Sequence, residues 1–155
     1  MAEKESKADT THGETVSADI DSTAVWTLLE KHKVAMRMAL RVCAHCGLCA
    51  ESCFLYATRD RKPEYMPSHK FIHTLGTLYK KKGHVRRDEL ESMCHIAWRR
   101  CVLCTRCYCP LGINIPEMIS LVRRICRSQN VVPDFENASE WKKRSHGQSY
   151  SKTAE

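Results

Sequence analysis

Cys43-Ala44-His45-Cys46-Gly47-Leu48-Cys49-Ala50-Glu51-Ser52-Cys53 sets four cysteines at gaps of two, two and three residues. A second run, Cys101-Val102-Leu103-Cys104-Thr105-Arg106-Cys107-Tyr108-Cys109-Pro110, repeats the first two gaps and then leaves one residue before its fourth cysteine. These runs take eight of the ten cysteines, and Cys94 and Cys126 stand apart. Disulfide frameworks spread cysteines along a chain to close long loops, whereas thiols two residues apart make poor staples and good chelates.

The first run has the C-x2-C-x2-C-x3-C spacing with which bacterial-type ferredoxins hold a [4Fe-4S] cluster: three thiolates wrap one cubane and the fourth ligates the other. Carried over, that exchange puts Cys43, Cys46, Cys49 and Cys109 on one cluster and Cys101, Cys104, Cys107 and Cys53 on a second. Cys109-Pro110 supplies the Cys-Pro ending of the pattern, and Gly47 is expected to relieve crowding where the backbone passes closest. The alternative is zinc, as a structural or interaction module. Structural zinc sites, however, typically use two C-x2-C pairs separated by a longer stretch. Cys94 is the other candidate for the place of Cys109, but it lies seven residues before Cys101, about 10.5 Å along a continuous helix. Imidazole ligation by His45 or His95 is the lesser reading with eight thiols at hand. Cys126 shares an apolar helical face and reads as core.

Outward from the runs the periodicity is helical. Asp21 or Ser22 can cap a helix over residues 23–42, with Val25, Trp26, Leu29, Met36, Ala39 and Leu40 recurring near helical spacing. Trp26, Met36 and Met38 read as core packing. Residues 63–68 read as a turn, with Ser68 capping a helix that carries Phe71, Ile72, Leu75, Leu78 and Tyr79 and ends at Lys80-Lys81-Lys82-Gly83. A further helix is predicted over 88–98, with Leu90, Met93, Cys94 and Ala97 on one face. Another opens near Pro116, with Met118, Ile119, Val122, Ile125 and Cys126 on its apolar side. Strand signals are nearly absent, so the expected class is all-α, with an approach helix before each cysteine run.

A chain of 155 residues is the size of one domain. Residues 1–20 are polar and acidic and read as a disordered tail; 21–133 hold the cysteine-bearing domain; 134–155 turn polar again, with Trp141 as an apolar landmark. No stretch of about 18 apolar residues is present, and no secretory signal or transit peptide opens the sequence, so a reducing cytoplasm is the expected location. The formal net charge is +7; two cubanes on eight thiolates lower it to roughly +3. Residues 69–87 carry Lys70, Lys80, Lys81, Lys82, Arg86 and Arg87 with no acid among them. Such a patch suits a solvated helix end or an acidic redox partner. No aromatic interleaving or reader motif accompanies it, so no nucleic-acid partner is expected.

With these residues in view, the chain resembles the dicluster iron-sulfur module of heterodisulfide reductase and of related cytoplasmic iron-sulfur subunits in the respiratory membrane complexes of sulfate-reducing bacteria. The resemblance covers about residues 23–133 and is carried by the two runs and by Cys109-Pro110-Leu111-Gly112-Ile113 ahead of a helix. Phe54 follows Cys53 where the pattern has proline, and one residue rather than three separates Cys107 from Cys109. The Cys-Cys-Gly repeat that family members use for disulfide chemistry is absent from the sequence, as are GxGxxG and P-loop motifs. The resemblance implies a domain of the α-helical ferredoxin type carrying two [4Fe-4S] clusters. It also implies an electron-transfer component of an oxidoreductase complex, with no catalytic residues of its own. Its partner would be another redox protein of that complex, either a catalytic one with Cys-Cys-Gly domains or a membrane-complex component.

Overall fold

The computed structural model describes residues 19–136. The expected disorder of the N-terminal tail falls almost wholly outside them, as do Trp141 and most of the polar C-terminal segment. Among the described residues there is no strand, and the chain is all-α.

Asp21 caps α1 (Ser22–Lys31), its Oδ1 accepting from the N–H groups of Thr23 and Ala24 at 3.0 and 2.9 Å. The single helix expected over 23–42 is two: α1 stops and α2 (Lys33–Val42) begins across His32, whose φ is −111°. There the His32 N–H turns to the Leu29 carbonyl three residues back, at 3.1 Å, and tightens the last turn of α1. Neither glycine nor proline marks this break. Val25, Leu29, Met36 and Ala39 remain on the core side, but Met38 is 60 % exposed rather than packed.

After the first cysteine run, α3 (Leu48–Glu51) and α4 (Phe54–Thr58) are single turns. A 3-10 turn at Pro63–Tyr65 leads to α5 (Pro67–Phe71). Ser68 is not its cap. Pro67 takes the first helical position, where its missing N–H would have had no partner in any case, and Ser68 is buried inside the turn. The helix then widens into a π-turn at Ile72–Gly76 before closing as α6 (Thr77–Lys80). Gly83 ends this segment at φ +81°, and a Cβ there would stand 3.0 Å from the Ser22 carbonyl oxygen. Both the left-handed backbone and the close approach of α1 therefore call for glycine.

The long pair α7 (Arg87–Arg99) and α8 (Ile115–Ser128) pack along each other. Asn114 caps α8, accepting from the Glu117 N–H at 3.3 Å, and Pro116 lies in its first turn. Leu90, Met93, Ala97 and Trp98 join Met118, Ile119, Val122 and Ile125 in one buried cluster. Each large apolar side chain fully removed from water here contributes about 1.5–3 kcal/mol. Arg123 of α8 donates to the Ala97 carbonyl at 2.9 Å and the Cys101 carbonyl at 2.6 Å, tying the end of α7 and the start of the second cysteine run to α8. Residues 134–136 form a 3-10 turn held by Arg127 on Glu136 at 2.9 Å, with Arg99 over the Phe135 ring at 5.1 Å.

Candidate metal centre

Helix α2 delivers the chain to Cys43, and α7 delivers it to Cys101. The two loops begin alike. The second residue inside each C-x2-C is left-handed, His45 at φ 55° and Leu103 at φ 52°; the residue after its second cysteine is left-handed as well, Gly47 at 78° and Thr105 at 60°. Positive φ at a non-glycine residue is uncommon, and at β-branched Thr105 it is an outlier that only a constraining surround sustains. Alternation of this kind gathers successive N–H groups into a concave nest suited to anions. At Gly47 the left-handed dihedral by itself calls for glycine.

One cavity, with about 310 Å³ of space partly open to solvent, is lined by Cys43, Cys46, Cys49 and Cys109. A second, with about 370 Å³ of space likewise partly open to solvent, is lined by Cys53, Cys101, Cys104 and Cys107. Each set takes three thiols from one run and the fourth from the other, the grouping expected from the ferredoxin pattern. Ile115, at the start of α8, lines both cavities and stands between them. The shortened Cys107-Tyr108-Cys109 segment straddles the same divide. Its middle residue is held from the first run, where the Ser52 hydroxyl accepts from the Tyr108 N–H at 3.0 Å and donates to the Cys49 carbonyl at 3.2 Å.

Burial pushes the Cys107 thiol up to about 12, the neighbouring Cys101, Cys53 and Cys104 add to the rise, and Lys70 opposes it. Four thiols crowded in a poorly solvated cavity resist ionising together unless a cation joins them. Among the described residues no three His, Cys, Asp or Glu side chains are placed to hold a single metal ion. Four soft sulfur donors around a cavity are the ligand set of zinc or of an iron-sulfur cluster. Cys94 and Cys126 lie apart from both cavities and neighbour each other between α7 and α8, with burial as the main reason both thiols titrate above the ordinary range. Cys109, and not Cys94, lines the first cavity. His45 lines the first cavity, whereas His95 borders a surface cleft with Cys94.

No protein-family model, curated protein or solved structure matches the chain.

The basic segment 69–87 is less open than its sequence suggests. Lys81 pairs with Glu89, Arg86 with Asp88 at 2.7 Å and Arg87 with Glu91 at 3.1 Å, so acids at the start of α7 answer three of its cations. Lys70 is not on the surface at all. It is 2 % exposed, lines the second cavity, and its Nζ is 3.8 Å from the Cys53 Sγ. Sequence reasoning missed it because a lysine counted into a basic segment reads as solvated. The one available signal was its helical register, next to Phe71 and one turn before Thr74.

Proposed function

We propose that this chain is an electron-transfer protein holding two [4Fe-4S] clusters. Cys43, Cys46, Cys49 and Cys109 hold the first; Cys101, Cys104, Cys107 and Cys53 hold the second. The observation that carries the reading is the division of eight thiols into two cavities, each drawing three from one run and one from the other. Such exchange makes each half of the domain depend on both clusters, so metal binding and folding are coupled. When bound, each cluster supplies a site that takes up and returns a single electron. The protein's part is to hold the thiolates, aim loop amides inward, and exclude water with Phe71 and Ile113 at the first cavity and Ile119 at the second.

On this reading the fold is of the α-helical ferredoxin type, and the chain works as the dicluster module of heterodisulfide reductase does, passing electrons to or from a partner redox protein. Exposed Leu48, Phe54, Val102, Tyr108 and Leu111 lie in or beside the cysteine loops and offer that partner an apolar rim. The partner supplies the substrate chemistry, consistent with an electron-transfer component in the cytoplasm. No described helix is long and apolar enough to cross a membrane, so a membrane complex would hold this chain through a partner.

Anaerobic reductive titration tests the reading. Two electrons per chain, taken up reversibly with paramagnetic signals from two centres, are expected. A chain that accepts none overturns it.

A further inference from the structure

Lys70 is the largest fully buried charged side chain, and it sits beside one cavity and not the other. Its Nζ reaches the Cys53 Sγ at 3.8 Å, and among the described residues no carboxylate forms an ion pair with it. An ammonium taken out of water costs several kcal/mol unless an anion compensates it. The compensating groups at hand are the thiols of the second cavity. The first cavity is lined by no lysine or arginine; His45, on an exposed loop residue, is its nearest counterpart.

The surrounding structure fixes the lysine rather than leaving it free to swing out. Pro67 starts α5 three residues earlier, the Lys70 N–H donates to the Met66 carbonyl at 3.2 Å, and the Thr74 hydroxyl donates to the Lys70 carbonyl at 2.7 Å across the π-turn. Pro67, Ile115 and Ile119 complete the wall around it. A π-turn inserted in a helix frequently marks a functional position, and here it begins two residues after the buried charge.

We infer that Lys70 sets the order of the two centres: its ammonium raises the reduction potential of the site formed by Cys53, Cys101, Cys104 and Cys107 above that of its neighbour, so the first electron rests there. The inference rests on the two-cluster reading. Adding one electron takes that site's charge from about −2 to about −3 with no bond made or broken. A fixed positive charge at short range and low dielectric stabilises the more negative state. The electron comes from the redox partner, or from dithionite in the test, and leaves to the next acceptor.

The test is a potentiometric titration of the loaded protein followed by electron paramagnetic resonance. In Lys70→Met, one midpoint falls by at least about 59 mV, a tenfold change for a one-electron couple, while the other stays. The midpoint that moves belongs to the centre lost in Cys104→Ser. Equal movement of both, movement of neither, or movement of the centre lost in Cys46→Ser overturns the inference. Should Lys70→Met fail to load, single-centre proteins decide. The cluster surviving in Cys46→Ser titrates at least tenfold more favourably than that surviving in Cys104→Ser, and the reverse order overturns the inference. A wild-type chain without iron would instead overturn the two-cluster reading, so the two failures are distinct.

Discussion

The backbone N–H of Tyr108 donates to the hydroxyl of Ser52 at 3.0 Å, joining positions 56 residues apart. Ser52 precedes the last cysteine of the first run, and Tyr108 is the lone residue between the last two of the second. This bond therefore holds both crossing cysteines, Cys53 and Cys109, at the point where the halves exchange. Ser52→Ala should weaken the folded chain by about 0.5–1.5 kcal/mol and speed iron loss to a chelator from both centres. Tyr108→Ala should leave that rate close to wild type, because the donor is backbone. Equal effects of the two substitutions would show that this bond does not hold the exchange point.

The exchange makes a pairing prediction. Cys109→Ser should disturb the same spectroscopic centre as Cys46→Ser, and Cys53→Ser the same centre as Cys104→Ser, since these cysteines share cavities. If Cys109→Ser tracked with Cys104→Ser, or if Cys94→Ser removed a centre, the exchanged arrangement would fail.

Cys126 is fully buried on α8 with Cys94 as its thiol neighbour. Cys126→Ala should keep the wild-type iron content and cost about 1 kcal/mol, the scale of one deleted core group, read by denaturant unfolding of the loaded protein. Loss of four irons from this variant would make it a ligand.

Acidification should act through His69, whose ring stacks on His73 at 3.9 Å. Burial first, then His73 and Arg100, hold its imidazole below the ordinary 6.5, with Glu64 opposing. The folded chain thus binds this proton more weakly than the unfolded one. Its contribution is full above pH 6.5 and is lost as pH falls toward the folded value. Between about pH 7.5 and about pH 5.5 the wild type should lose more stability than His69→Gln; parallel losses would assign the slope elsewhere.

Much of the helical frame was legible because burial repeats with helical period. Leu90, Met93 and Ala97, and Met118, Ile119, Val122 and Ile125, all lie on the faces expected of them. The break at His32 was not, because no glycine or proline announces it. Three thiols of each cavity followed from the two-residue gaps, whereas the crossing of Cys53 and Cys109 was carried over from the ferredoxin pattern. Lys70 was hidden because most of the wall around it comes from distant stretches of the sequence, the two cysteine loops and the start of α8. The basic patch is partly neutralised, since its counter-charges Asp88, Glu89 and Glu91 lie just beyond the segment.

The central claim, that eight thiols hold two iron-sulfur cubanes, meets its most direct test in a metal and sulfide count on protein purified without oxygen. A brown protein with about eight irons and a matching amount of acid-labile sulfide per chain is predicted. Zinc with little iron, in material protected from air throughout, would contradict it.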